Sequence, residues 1–232
     1  MRQDELTEIR ALPLFRNMEA ENFDRLFRGA YVQTFPQGVE LAREGEMADF
    51  FHVVLDGSVE LFANWNGRKS TLATIHPLST FILAATIKNG PYLMSAQTLE
   101  KSRMILLPST DVRAHFAADS GFARAIVLEL AQCYRVVVKS HTDIKLRTSP
   151  ERLANYLLRQ SATAADPSSF DLKMEKKRLA SFRGLTPENL SRSIKALNTH
   201  GVEIALNNVR IVDFNLLRDY AKPDDLIDNP TI

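Results

Sequence analysis

The segment KKRLASFRGLTPENLSRSIKALNTHG, residues 176–201, constrains the fold of this 232-residue chain more than any other. Lys176 to Arg183 reads as a short helix, and Gly184 falls where a tight turn needs a residue without a Cβ. Thr186 followed by Pro187 is the N-cap and first position of a second helix, and Gly201 supplies its stop. Within that helix Leu190, Ile194 and Leu197 share one face, while Glu188, Ser191, Arg192 and Lys195 share the other. Two short helices about a glycine turn, the second with an apolar underside and a polar, basic outer face, predict a helix-turn-helix. Its second helix has the shape to enter a DNA major groove. The residues that follow, VEIALNNVRIVDF, predict a hairpin wing turning at Asn207-Asn208.

Charge agrees with that reading. Between Leu172 and Lys195 stand seven basic side chains, Lys173, Lys176, Lys177, Arg178, Arg183, Arg192 and Lys195, against Glu175 and Glu188, although the whole chain carries only +1. A basic block in an otherwise acidic protein suits a polyanion, whose condensed counterions are released on contact. On charge alone a solvated helix face is an equal alternative.

The upstream half has a different texture. From about Tyr31 to Pro108 short strands are punctuated by turns: YVQTF, VELA, FFHVVL and SVELFANW, with Asp56-Gly57 and Asn66-Gly67 as hairpin-type dipeptides. Strands this short at this spacing predict an antiparallel barrel or roll. Ahead of them Leu6 to Arg28 reads as two short helices joined through LPLFRNM. Behind them, from Thr110 to Thr148, Phe122, Ile126, Leu130, Val137 and Ile144 recur at helical spacing, with an interruption at Ser120-Gly121. A helix of about 25 residues spans roughly 38 Å, and its apolar side is too wide for one contact, which predicts packing both on the roll and on a second copy. The residue before a proline avoids helical geometry, so Thr148-Ser149-Pro150 ends this helix. A short helix with Leu153, Tyr156 and Leu157 buried, a loop, and a strand in FDLKM come next. The fold class is therefore α+β, with a roll at 1–112, a long helix and hinge at 113–148, and a winged helix-turn-helix at 149–232. The acidic, proline-bearing tail KPDDLIDNPTI reads as poorly ordered.

Several classes fall away. No apolar run reaches roughly eighteen residues and the N-terminus is charged from the start, which predicts a cytoplasmic protein without membrane association. Cys133 is the single cysteine, read as a small buried residue on the helix, and it cannot assemble an iron–sulfur cluster. NGPYLM and NGRKS are turns, too short for phosphate loops, and no nucleophile–base pair or metal-ligand cluster stands out, so no enzyme is expected.

The order roll, long helix, winged helix-turn-helix resembles the CRP/FNR family of bacterial transcription regulators across nearly the whole chain. EGEMADFFHVVLDGSVELF resembles that family's cyclic-nucleotide-binding-type roll, and LTPENLSRSIKAL its recognition helix. The FNR branch carries an E-x-x-S-R pattern, present here as Glu188, Ser191 and Arg192, which implies a half-site of the TTGA kind. In chemical terms Arg192 suits guanine O6 and N7, Glu188 a cytosine amino group, and Thr186 and Lys195 phosphate, with Asn189 beside them. The resemblance implies a homodimer on palindromic double-stranded DNA, and RNA polymerase as a partner if the protein activates.

Nucleotide-binding members carry a Gly-Glu pair and, further on, an Arg-Ser or Arg-Thr pair for the cyclic phosphate. FILAATIKNGPYLMSAQT, Phe81 to Thr98, occupies that position with Met94 where the arginine is expected and neither Gly nor Glu in FILAA. A phosphate buried without a cation keeps its desolvation cost, which argues against cyclic AMP. What remains is an effector pocket of Ile82, Leu83, Leu93, Met94 and Ser95, open to heme, to a small apolar or aromatic effector, or to nothing. Heme needs an axial ligand, usually imidazole, and His76 before Pro77 is the candidate by position, although a strand-end surface histidine is the commoner case. His52 alternates within a strand and His200 reads as a dipole-favoured residue at a helix C-terminus. A regulator of this kind would switch between two states through the hinge at Thr148 to Pro150. The competing class is a small-molecule-binding roll that reads no DNA.

Overall fold

The computed structural model describes residues 3–172 and 174–229. Lys173 of the basic block and the last three residues of the tail lie outside the described residues. The chain divides into two compact units, Met1–Cys133 and Tyr134–Ile232.

In the first unit α1 (Gln3–Ala11) and α2 (Ala20–Arg28) precede the strands β1 (Tyr31–Phe35), β2 (Glu40–Ala42), β3 (Phe50–Asp56), β4 (Val59–Trp65), β5 (Arg68–Ile75) and β6 (Ser79–Phe81). Then come α3 (Leu83–Lys88), β7 (Ser95–Thr98), β8 (Ser102–Pro108), α4 (Ser109–Ala118) and α5 (Ser120–Leu146), which crosses the division between the units. The strands form two four-stranded antiparallel sheets, β1-β8-β3-β6 and β2-β7-β4-β5. Side chains alternate across a strand, so β3 serves two cores. Phe51 and Val53 join Ile9, Phe15, Leu26, Phe122 and Ile126 beneath the helices, and Val54 joins Val59, Leu61, Phe81 and Met104 between the sheets.

Only one of the two expected hairpin dipeptides joins paired strands. Asn66 and Gly67, at φ 48° and 74°, close the β4–β5 hairpin, as a primed two-residue turn requires. Asp56-Gly57 instead carries the chain from one sheet to the other, because β3 is already paired with β6 and β8. Gly57 takes φ 83°, and a Cβ there would lie 2.4 Å from the Ser102 hydroxyl. At Gly121 a Cβ would meet the Asn17 carbonyl at 2.1 Å, so the predicted interruption between α4 and α5 is a point of close backbone approach. Asp119 secures it by accepting from the Phe122 and Glu19 N–H groups, each at 2.8 Å.

Along α5 the repeating apolar positions part company. Phe122 and Ile126 are fully buried, but Val137 and Ile144 are 63% and 50% exposed. Cys133, expected to be buried, is exposed, like every residue of α5 from Ala131 to Val138.

The second unit contains α6 (Ser149–Ala162), β9 (Ser169–Asp171), α7 (Lys176–Phe182), α8 (Pro187–Asn198), β10 (Val202–Ala205), β11 (Asn208–Ile211), α9 (Phe214–Ala221) and α10 (Asp225–Asp228). The proline that ends α5 also begins α6. Thr148 and Glu151 form a capping box and Pro150 sits in the first turn, where its missing N–H costs nothing. Leu153, Tyr156 and Leu157 are buried as expected, together with Leu179, Leu190, Leu197, Val209 and Leu217. The wing, part of a sheet ordered β10-β11-β9, turns at Leu206-Asn207, one residue before the expected place, since Ala205 pairs with Asn208. A slip by one residue would turn Val209 and Ile211 away from the core, and Leu206 accepts φ 52° to avoid it. His200 directly follows the C-cap of α8, as expected, and its ring stacks on Tyr220 with centroids 3.9 Å apart. The described part of the tail, expected to be loose, contains α10, with Asp224 accepting from the Leu226 N–H at 2.8 Å.

Candidate functional site

Helix α8 is held by its underside. Leu190, Ser193 and Leu197 are buried, and the Ser193 hydroxyl donates to the Asn189 carbonyl at 2.8 Å, a partner the polar side chain of Ser193 gave no sign of in advance. Thr186 caps the helix by accepting from the Asn189 N–H at 3.2 Å. The outward side chains Glu188, Asn189, Ser191, Arg192 and Lys195 are all exposed. Hydrogen bonds from its own backbone N–H and from the Thr186 hydroxyl, with a smaller part from Arg192, hold the Glu188 carboxyl below its ordinary range. It is therefore an acceptor at neutral pH. Ser191 donates to the Pro187 carbonyl at 3.0 Å, which leaves its oxygen lone pairs outward. An acceptor and a fork of donors thus stand on neighbouring turns of one exposed face, the arrangement needed to meet base edges in a groove. Arg183, counted with the basic block in the sequence, is turned inward onto Asp143 and over the Tyr156 ring, so it is not part of that face.

The Phe81–Thr98 stretch forms β6, α3, a turn and β7, and beside it lies a cleft of about 350 Å³. Ile82, Leu93 and Met94 line it, with Ala84, Ala85, Lys88, Gly90, Pro91 and Tyr92, residues of the same stretch that the sequence did not single out. Ile82 and Asn89, both in the left-handed region at φ 66° and 52°, bracket α3 and set the bend of this wall. Leu83 is turned into the core beneath the helices and does not line the cleft. Ser95 is also inside, its hydroxyl accepting from the Glu44 N–H at 3.0 Å. Lys88 is the one cation among the described residues of the wall. His76 is exposed after β5 and is absent from the lining, whereas His52 is buried and stacked on Phe81 at 4.8 Å. Among the described residues no cluster of three or more His, Cys, Asp or Glu side chains could hold a metal ion. No helix among them is long and apolar enough to cross a membrane.

A two-sheet β-roll, a long helix and a winged helix-turn-helix with an exposed polar face define a DNA-binding regulator. Comparison with known proteins narrows this. The cyclic nucleotide-binding domain family matches residues 32–119, and the Crp-like helix-turn-helix domain family matches residues 151–220. A cyclic AMP receptor protein from Thermus thermophilus is 24% identical over 211 residues, 90% of this chain and 96% of that one. The transcriptional activator protein FnrA of Stutzerimonas stutzeri is 23% identical over 209 residues, 87% of this chain and 84% of its own. The structure of FixK2 from Bradyrhizobium japonicum shares the fold with a TM-score of 0.68 at 20% identity, covering 84% of this chain and 98% of that chain. The protein belongs to the CRP/FNR family of transcription regulators, and is a regulator rather than an enzyme.

Proposed function

We propose that the protein is a homodimeric regulator that reads a palindrome of TTGA-type half-sites and takes its signal from an apolar organic effector in the α3 cleft. The observation that carries the DNA reading is the division of α8 into a buried underside and an outer face on which Glu188, Asn189, Ser191, Arg192 and Lys195 are all exposed. Arg192 donates to guanine O6 and N7, Glu188 accepts from a cytosine amino group, Ser191 supplements them, and Thr186 and Lys195 hold phosphate. Dimer formation is supported by the uncovered apolar side chains of α5, among them Leu128, Tyr134 and Val137. Two recognition helices about 34 Å apart then call for a palindromic operator.

The cleft does not suit a cyclic nucleotide. The Leu93 and Met94 side chains offer no donor to a phosphate, the Ser95 hydroxyl is engaged, and Lys88 is the one cationic side chain among the described residues of the wall, which leaves the anion without a charged fork of donors. Heme is disfavoured, since His76 and the other histidines are absent from the lining and only Tyr92 and Met94 would be left as axial groups. An apolar or aromatic molecule matches what the wall presents. Binding there would shift a two-state equilibrium by its differential affinity for the two states.

The test is a titration of the purified protein onto a duplex carrying the TTGA palindrome and onto a scrambled duplex, over a range of salt. Specific binding lost with Arg192→Ala supports the reading. Equal, weak affinity for both duplexes refutes it and leaves a ligand-binding roll without a regulatory site. A heme titration and an apolar fluorescent probe, each run with Met94→Glu beside the wild type, separate the signals: the probe is expected to bind the wild-type cleft saturably and the variant weakly, and heme to show no saturable spectrum with either.

A further inference from the structure

Apart from the recognition face and the cleft, a chain of mostly buried charges lies where α5 gives way to α6. Five side chains alternate in sign: Arg183, Asp143, Arg147, Asp228 and Arg159. Asp143 pairs with Arg183 on one side and with Arg147 at 3.1 Å on the other. Arg147 donates both of its terminal nitrogens to Asp228, at 2.9 and 2.6 Å, and Arg159 closes the chain on the same carboxylate. The Arg147, Asp143 and Asp228 side chains are 8%, 8% and 11% exposed, so water screens them little. The backbone joins in. Arg152 donates to the Arg147 carbonyl at 2.8 Å, and Lys139 donates to the Asn229 carbonyl at 2.7 Å.

The network ties together four places that the sequence keeps apart. Lys139, Asp143 and Arg147 follow one another at four-residue spacing at the end of α5, Arg159 is on α6, and Asp228 is on α10. Arg183 immediately precedes Gly184, the corner residue of the helix-turn-helix. Buried ion pairs are poor stabilisers compared with apolar packing, and their best-attested use is to fix one arrangement among several. Asp228 lies beyond residue 220, where the match to the helix-turn-helix family ends.

We propose that residues 222–229 form a clasp that fixes the helix-turn-helix onto the last turns of α5, with Asp228 as a positioning residue for DNA recognition. The carboxylate touches no DNA; it holds Arg147 and Arg159, and through Asp143 the same chain of charges reaches Arg183 and the corner before α8. Operator affinity would therefore respond to a segment remote from the recognition face. This rests on the proposed DNA reading, and the test separates the two.

Full-length Asp228→Asn is compared with the wild type by hydrogen exchange and by operator titration, with Asp225→Asn, an exposed carboxylate of the same short helix, as control. Where Asp228→Asn fails to give a cooperative melt, Arg159→Gln, which spares the Arg147–Asp228 pair, takes its place. The expected result is faster amide exchange over residues 143–152 and a loss of operator affinity of about tenfold, with Asp228→Glu recovering part of it and Asp225→Asn changing neither. Unchanged exchange over those residues overturns the clasp, and so does faster exchange with wild-type operator affinity. A wild-type protein that fails to bind the operator refutes the reading of α8 instead, and the exchange result then decides the clasp alone.

Discussion

Replacing His52 by Phe should flatten the acid limb of the protein's stability. His52 is 2% exposed, stacks on Phe81 with ring planes at 17°, and leaves its Nδ1 without a hydrogen-bond partner. Burial alone pushes its pKa down from 6.5 to about 4. The folded state therefore resists a proton that the unfolded chain accepts. The stability of the neutral ring is fully present above the unfolded pKa and is lost as pH falls from 6.5 towards 4, at up to about 1.4 kcal/mol per pH unit. Between about pH 7.5 and about pH 4.5 the loss amounts to roughly 2.5 kcal/mol. His52→Phe keeps an aromatic ring against Phe81 and removes both the titration and the unsatisfied nitrogen. Urea unfolding of both proteins across this range, read on the signal of the first unit, isolates the effect, because every carboxylate is common to the two chains. Parallel stability–pH curves for wild type and variant would refute the argument that the imidazole is held neutral by burial.

Further outcomes follow from the geometry. Arg192→Ala should cost about 1–3 kcal/mol of operator affinity and relax discrimination at one base pair, whereas Lys195→Ala should weaken all sequences alike and lower the salt slope by about one, both read by fluorescence anisotropy. Gly57→Ala should destabilise the first unit by more than about 1 kcal/mol, since it places a Cβ at φ 83° and against Ser102; thermal unfolding checks it. Thr148→Ala should cost about 1 kcal/mol by opening the capping box of α6. The backbone N–H and hydroxyl of Thr148, outweighing slight desolvation, hold the Glu151 carboxyl below its ordinary value. That contribution is present above the unfolded pKa and fades as pH falls through the folded one, so the gap between variant and wild type should narrow in acid.

Local features reported themselves in the sequence because their causes are local. Gly184 and Gly201 take positive φ, Thr186 caps α8, and the division of α8 into Leu190 and Leu197 below and Arg192 and Lys195 above follows from helical period. What failed were inferences that depended on partners. Asp56-Gly57 has the composition of a hairpin but joins two sheets, because β3 already has neighbours on both sides. Cys133 has the composition of a core residue but stands on a stretch of α5 that is exposed among the described residues. Leu83 and Ser95 sit in the same apolar stretch as Leu93 and Met94 yet face inward, since the left-handed residues around α3 set which side of that wall meets the cleft.

The sequence by itself determined the roll, the long helix and the winged helix-turn-helix in that order, and the exposed polar face of α8, since period, caps and turn residues act over a few positions. Only the tertiary structure decided which charges are buried together. Arg183 reads as one more cation in a basic block, and Asp228 as part of a loose acidic tail. Their burial in one network with Asp143, Arg147 and Arg159 depends on segments dozens of residues apart reaching the same few ångströms, and no local pattern encodes that meeting.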